Sequence, residues 1–133
     1  MTTIKSFTDL EQSKKLAKIL PLKSADAFYP WRELMKDYDS IYVPEKMLMS
    51  DLAEDDIPCW SLAALLGVLP VIIGNVLSKN ALRLRIDKSE TDFNIWYENI
   101  DTAMVEEGFD IIKTNPIDAC VEMIEKLHKL NLL

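Results

Sequence analysis

Two short segments in the second half of the chain alternate between apolar and polar residues. An apolar side chain recurs at every second position within residues 81–87 and 93–97, which is typical of strands with one face in a core. These apolar positions are Leu82, Leu84, Ile86, Phe93, Ile95 and Tyr97. The polar link between the segments, residues 88–92, is short enough for a hairpin turn. The pattern therefore predicts a β-hairpin, and residues 109–112 after Gly108 form a further strand candidate.

Helical spacing of apolar residues predicts one amphipathic helix near each end of the chain. Near the start, Thr8 and Glu11 stand at the spacing of a capping box, and Pro21 ends the helix. Near the end, Asn115 is a suitable cap and Pro116 suits the first helical position. The predicted apolar stripe of this last helix comprises Ile117, Cys120, Val121, Ile124, Leu127 and His128.

An uncharged stretch, residues 57–78, is long enough to cross a bilayer as a helix. Pro70 should end any helix near Leu69, and Gly67 suits the left-handed position just past a helix end. We therefore predict a buried helix over residues 58–66, a turn, and an apolar segment over residues 71–77. Acidic residues precede the stretch, and no basic cluster marks a cytoplasmic side. A core segment is favoured, and a spanning helix is the alternative.

Length and composition indicate one domain, residues 1–133, with hydrophobic residues forming 49% of the chain. The predicted elements indicate an α+β fold, a small antiparallel sheet with flanking helices in an α/β/α sandwich-like arrangement. No apolar run follows a basic patch at the start, so a cytoplasmic protein is expected. Cys59 and Cys120 are interpreted as two buried thiols of a reducing compartment, with a single disulfide as the alternative.

The formal net charge of −7 is unevenly distributed, with acidic residues concentrated in residues 37–56. Nucleic-acid binding is therefore not expected, since affinity for phosphate comes largely from Lys and Arg. A basic partner, or solubility alone, fits this balance better.

Residue patterns typical of catalytic and cofactor sites are missing from the sequence. The single histidine, His128, stands near the end of the last helix without an evident partner, so a helix-end role is favoured over catalysis. The acidic residues 51–56 lack the ligand spacing and the central glycine of an EF-hand loop. We therefore expect no catalytic residue, cofactor or metal ion. The alternative is a small enzyme whose carboxylates converge only in the folded chain.

Aromatic and arginine residues suggest a contact surface. Trp96 alternates onto the same side of the predicted hairpin as Arg83 and Arg85. An open face would offer a partner-binding surface, whereas helices on both faces would make Trp96 a core residue, and the covered face is slightly favoured. Trp31 and Tyr38 are likewise either contact-surface or core residues, whereas Trp60 is expected in the core. The candidate partner-binding residues are Trp31, Tyr38, Arg83, Arg85 and Trp96.

About half of the chain resembles a family of small uncharacterised proteins of gut anaerobes and their phage-like mobile elements. The resemblance rests on LEQSKKLAKILPLKSADAFY, IPCWSLAALLGVLP and NPIDACVEMIEKLHKLNLL. The order of elements and the run TNPIDA also resemble the phage ABA sandwich domain. These resemblances imply an α/β/α layered fold and a mobile-element context, without an activity or functional residues. The expectation is a non-enzymatic accessory protein that binds an unidentified protein, in an unknown oligomeric state.

Overall fold

A computed structural model describes residues 5–29, 56–75, 77 and 79–133. Trp31, Tyr38 and most of the acidic region within residues 37–56 lie outside the described residues. The chain divides into two compact units, Lys5–Val68 and Leu69–Leu133, which we call the N-terminal and C-terminal units. Each unit is described by itself, and the single domain over residues 1–133 stays a prediction.

The N-terminal unit combines two short helices with a two-stranded antiparallel sheet. Its elements are α1 (Leu10–Ala17), a 3-10 helix (Leu22–Ser24), β1 (Ala27–Tyr29), β2 (Ile57–Cys59) and α2 (Leu62–Val68). Strand β1 pairs with β2, with Ala27 opposite Cys59 and Tyr29 opposite Ile57. Helix α1 packs against β2. The unit has a small apolar core, and Phe7 and Leu10 pack against it.

Helix α1 begins one residue later than its sequence motif suggests. Asp9, and not Thr8, caps the helix: its carboxylate accepts from the Gln12 amide at 2.8 Å, and the Gln12 side chain accepts from the Asp9 amide at 3.0 Å. The predicted capping box of Thr8 and Glu11 is therefore wrong by one position. Thr8 is instead fully buried, and its hydroxyl lies in the interior of the unit.

The uncharged stretch also folds differently from its local pattern. Residues 57–59 form β2, so α2 begins at Leu62 instead of residue 58, because these residues find a strand partner about thirty positions earlier in the chain. Gly67 lies within α2 and does not cap it, so that prediction is wrong, whereas the helix ends before Pro70 as predicted. Among the residues that the structure describes, none of the helices combines the length and hydrophobicity of a transmembrane segment.

The C-terminal unit is a four-stranded antiparallel sheet with one long helix. Its elements are β3 (Ile72–Ile73), β4 (Leu82–Lys88), β5 (Phe93–Asn99), β6 (Val105–Lys113) and α3 (Pro116–Lys129), with the strands in sequence order across the sheet. The β4–β5 hairpin is confirmed. Helix α3 packs on β5 and β6, and the Asn115 side chain caps it through the Ile117 amide at 3.0 Å, as predicted.

Strand β6 is longer than the predicted strand over residues 109–112. Gly108 has φ +85°, within the left-handed region that favours glycine, and lies inside β6. The pairing with β5 shifts between Trp96 and Glu98, which marks a β-bulge at this point. The glycine thus interrupts the pairing without ending the strand.

The described residues form an α+β structure, as predicted: three α-helices with antiparallel sheets of two and four strands. The two cysteines, Cys59 and Cys120, are buried free thiols, as predicted, whereas the reducing compartment stays a prediction. Burial raises the pKa of each thiol to about 12, and for Cys59 the charge of Asp26 adds to this. Both cysteines are therefore protonated at neutral pH and unsuited to nucleophilic chemistry.

Candidate functional site

The sheet of the C-terminal unit carries one mixed arginine, aromatic and aliphatic surface, which we call the Arg–Trp face. The strand register places Arg83 opposite Glu98 and Arg85 opposite Trp96. Cross-strand partners project from the same side of an antiparallel sheet. The face comprises Arg83, Arg85, Asp87, Asn94, Trp96, Glu98, Val105, Asp110 and Ile112.

Glu98 holds the two arginines of this face in place. One oxygen of its carboxylate, Oε1, accepts from Nη2 of Arg83 and from Nε of Arg85, each at 3.1 Å. The Glu98 side chain is only 9% exposed, so its carboxylate is largely shielded from water. Two guanidinium groups thus share one carboxylate, and the same side of the sheet also carries the acidic residues Asp87 and Asp110.

The ionisation of Glu98 follows from these partners. Burial raises its pKa, but hydrogen bonds from the side chains of Arg83 and Trp96, together with the charges of Arg85 and Arg83, outweigh burial. The resulting pKa lies below the ordinary value of 4.5, so the carboxylate is ionised at neutral pH. Glu98 therefore acts as a fixed anion that orients Arg83, Arg85 and Trp96.

The Arg–Trp face is accessible at both arginines. The side chains of Arg83 and Arg85 are 41% and 52% exposed, and Trp96 is half-buried. The prediction that helices cover this face is therefore wrong at the arginines, because α3 packs on the opposite side of the sheet, where Ile95 and Tyr97 are buried. The aliphatic members of the face are also exposed, Val105 at 49% and Ile112 at 56%.

Two polar atoms of this surface are shielded from solvent without a hydrogen bond in the described part of the chain, namely Nε of Arg83 and Oδ1 of Asn94. Asn94 lies two residues before Trp96 and projects from the same side of β5. An unsatisfied buried polar group costs about 1–3 kcal/mol.

A buried hydroxyl network holds the N-terminal unit together. The Thr8 hydroxyl contacts the Ser13 hydroxyl at 2.7 Å and accepts from the Trp60 amide at 3.1 Å, while the Tyr29 hydroxyl donates to the Thr8 carbonyl at 2.8 Å. Trp60 is fully buried, as predicted, and its indole donates to Ser24 at 3.0 Å. These hydroxyls are occupied by structural hydrogen bonds.

An acidic residue, Asp26, contacts the start of α2. Asp26 accepts from both the amide and the hydroxyl of Ser61, and the Ser61 hydroxyl in turn accepts from the Ala64 amide at 3.2 Å. Ser61 thus serves as a helix cap held by Asp26.

The remaining sequence candidates do not gather into a catalytic site. His128 is exposed in the last turn of α3, which agrees with a helix-end residue and corrects its place in the apolar stripe. The exposed side of α3 borders a depression of about 310 Å³, which is lined by Glu122, Glu125, Lys126 and Lys129. Among the described residues, no three His, Cys, Asp or Glu side chains are grouped so that they could hold a metal ion.

Sequence reasoning missed Glu98, Val105 and Ile112 as members of the Arg–Trp face. The predicted strand ends at Tyr97, two residues too early, although continuing the alternation places Glu98 on the side of Trp96. Ile112 lies in the predicted strand over residues 109–112 but was not assigned to this face, and Val105 was missed because the bulge at Gly108 hides the length of β6. The alternation signal was available for Glu98, whereas the bulge left none for Val105.

Comparison with known proteins identifies no relative: no family model, curated protein or solved structure matches the chain. The fold and the Arg–Trp face therefore carry the functional inference.

Proposed function

We propose that this chain is a non-enzymatic protein-binding module and that the Arg–Trp face is its contact surface. The observation that carries the proposal is the pair of exposed arginines fixed by one carboxylate beside a half-buried tryptophan. Tryptophan and arginine are the residues most enriched among those that dominate binding energy in protein interfaces.

The arrangement of this face supports binding in two further ways. The exposed Val105 and Ile112 add apolar area next to Trp96, and burial of such area stabilises complexes. Glu98 restrains Arg83 and Arg85 before a partner arrives, so less side-chain entropy is lost on binding.

The alternative, a small enzyme with converging carboxylates, lacks comparable support. An acid–base pair needs two carboxyl groups whose pKa values are pushed apart. Both Asp9 and Glu98 have a lowered pKa: burial of Asp9 raises its pKa, but the Gln12 amide and Lys5 outweigh that effect. Each carboxylate also has a structural role: Asp9 caps α1, and Glu98 forms ion pairs with two arginines.

A mobile-element origin is part of the proposal. Its support is the resemblance of residues 10–29, 57–70 and 115–133 to small proteins of gut anaerobes and their phage-like elements. Integrase, portal or capsid genes beside the coding sequence would support this origin, and a constant chromosomal neighbourhood of metabolic genes would contradict it.

Affinity capture from a lysate of the source organism, with the purified chain as bait, tests the binding function. We expect the wild-type chain to retain a stoichiometric protein partner and R85E or R85A/W96A to lose it. The matched control is I86A/K88A, which alters the opposite face of the same strand. Circular dichroism shows whether each variant is folded, because R85E also removes the ion pair of Arg85 with Glu98.

Two results would contradict the proposal. The first is equal retention of the partner by R85E and by the wild-type chain. The second is failure of the wild-type bait to retain any stoichiometric partner.

A further inference from the structure

We infer that the outer edge of β6 binds an extended, basic segment of a partner protein as an added strand. The inference rests on the proposed function insofar as both require a protein partner, and the β6 edge shares Val105 and Ile112 with the Arg–Trp face. Addition of a strand to a sheet edge is a common mode of peptide recognition, in which backbone hydrogen bonds give affinity and side chains give specificity.

The topology leaves β6 at the end of the sheet. Strand order is β3-β4-β5-β6, and within the described residues β6 pairs with β5 alone. Strand β6 spans nine residues, and all of them except Phe109 and Ile111 are exposed. An edge of this length presents unpaired backbone donors and acceptors to another chain.

The charge of β6 selects among possible strands. Glu106, Glu107 and Asp110 are exposed acidic residues of the strand, and its one basic residue, Lys113, pairs with Glu122 on α3 at 3.3 Å. Opposite charges across neighbouring strands are stabilising and like charges are destabilising. A segment rich in Lys or Arg is therefore the complementary occupant.

The exposed aliphatic residues define the other half of the pattern. Val105 and Ile112 flank the acidic positions on the strand. An added strand presents every second residue to the same face, so its apolar side chains would lie beside these two. Asp110 and Ile112 project from the same side of β6, because their partners Trp96 and Asn94 lie two residues apart on β5. We therefore expect β-branched residues two positions away from a basic one on the added strand.

Self-association through β6 is disfavoured by the same charges. A second copy paired edge to edge would bring Glu106, Glu107 and Asp110 of both chains together. The bulge at Gly108 further interrupts a long regular edge. These two features repel like strands while leaving residues 109–113 available to a basic one, which is specificity through repulsion of the wrong partner.

Selection from a random twelve-residue peptide library displayed on phage, against the immobilised full chain, tests this inference. We expect the selected peptides to be enriched in Lys or Arg, with β-branched residues two positions away from a basic one. Their affinity should fall at least tenfold for E106K/E107K/D110K. The control E11K/E90K/D92K makes the same charge change at exposed positions elsewhere and should keep at least half of the wild-type affinity. Binding should also slow hydrogen exchange of β6 backbone amides.

Three outcomes would overturn the inference: no enriched peptide, enrichment without basic residues, or equal loss of affinity in both triple variants. If peptides instead respond to R85E and not to the β6 charges, the strand-addition inference fails while the Arg–Trp face stands. If capture of a natural partner fails but basic peptides still bind β6, the proposed function fails while the strand-addition inference stands.

Discussion

At the scale of single residues, Glu98 is the most informative side chain of the molecule. Because its folded pKa is lowered from 4.5, the stability it contributes is complete above that value and is lost as the pH falls through the folded pKa. We expect E98Q to be less stable than the wild-type chain at pH 7 in urea unfolding. The difference should shrink on acidification below about pH 4.5.

The control for this prediction is E90Q, which changes an exposed residue of the β4–β5 turn. It should follow the wild-type chain at every pH. A difference between E98Q and wild type that stays constant from pH 7 to pH 3 would contradict the role of Glu98 as a paired anion.

Asp9 and Glu11 test the register of α1. Loss of an N-cap side chain costs about 1 kcal/mol, so D9A should lower the free energy of unfolding by that amount. Glu11 is exposed, and E11A should have an effect within about 0.5 kcal/mol. Urea denaturation of both variants measures the difference, and a larger loss for E11A than for D9A would restore the sequence-based register.

At the scale of elements, two glycines have opposite roles. Gly67 lies within α2 with open space around the position of an added Cβ, so G67A should stabilise the chain by about 0.5–1 kcal/mol. Gly108 has φ +85°, and G108A should destabilise it by about 1–2 kcal/mol because an L side chain is strained there. Thermal unfolding checks both signs. Destabilisation by G67A would contradict a helical Gly67.

The local sequence pattern correctly predicted the elements that pack against residues nearby in the sequence. The β4–β5 hairpin and the capped α3 fall into this class, because alternation, turn length and the Asn115-Pro116 pair act over a few residues. Strand β2 was missed because β1, its partner, lies about thirty residues away. The start of β6 was mispredicted at Gly108 for a related reason, since a glycine is equally compatible with a strand boundary and with a bulge inside a strand.

At the scale of the whole molecule, the same contrast holds for the candidate site. The shared side of Arg83, Arg85 and Trp96 followed from alternation alone. The exposure of this face did not follow from alternation, because the position of α3 on the opposite side of the sheet depends on long-range packing. The net charge of −7 favours a basic partner or solubility alone, and the exposed acidic residues of β6 are part of that charge.

The central claim is that the Arg–Trp face is a protein-binding surface, and hydroxyl-radical footprinting of the captured complex tests it most directly. Labelling of Trp96, Val105 and Ile112 should fall several-fold between the free chain and the complex. Labelling of His128 and Leu130, exposed at the end of α3, should stay unchanged. Unchanged labelling of Trp96 and Ile112 in a complex that protects α3 would contradict the claim.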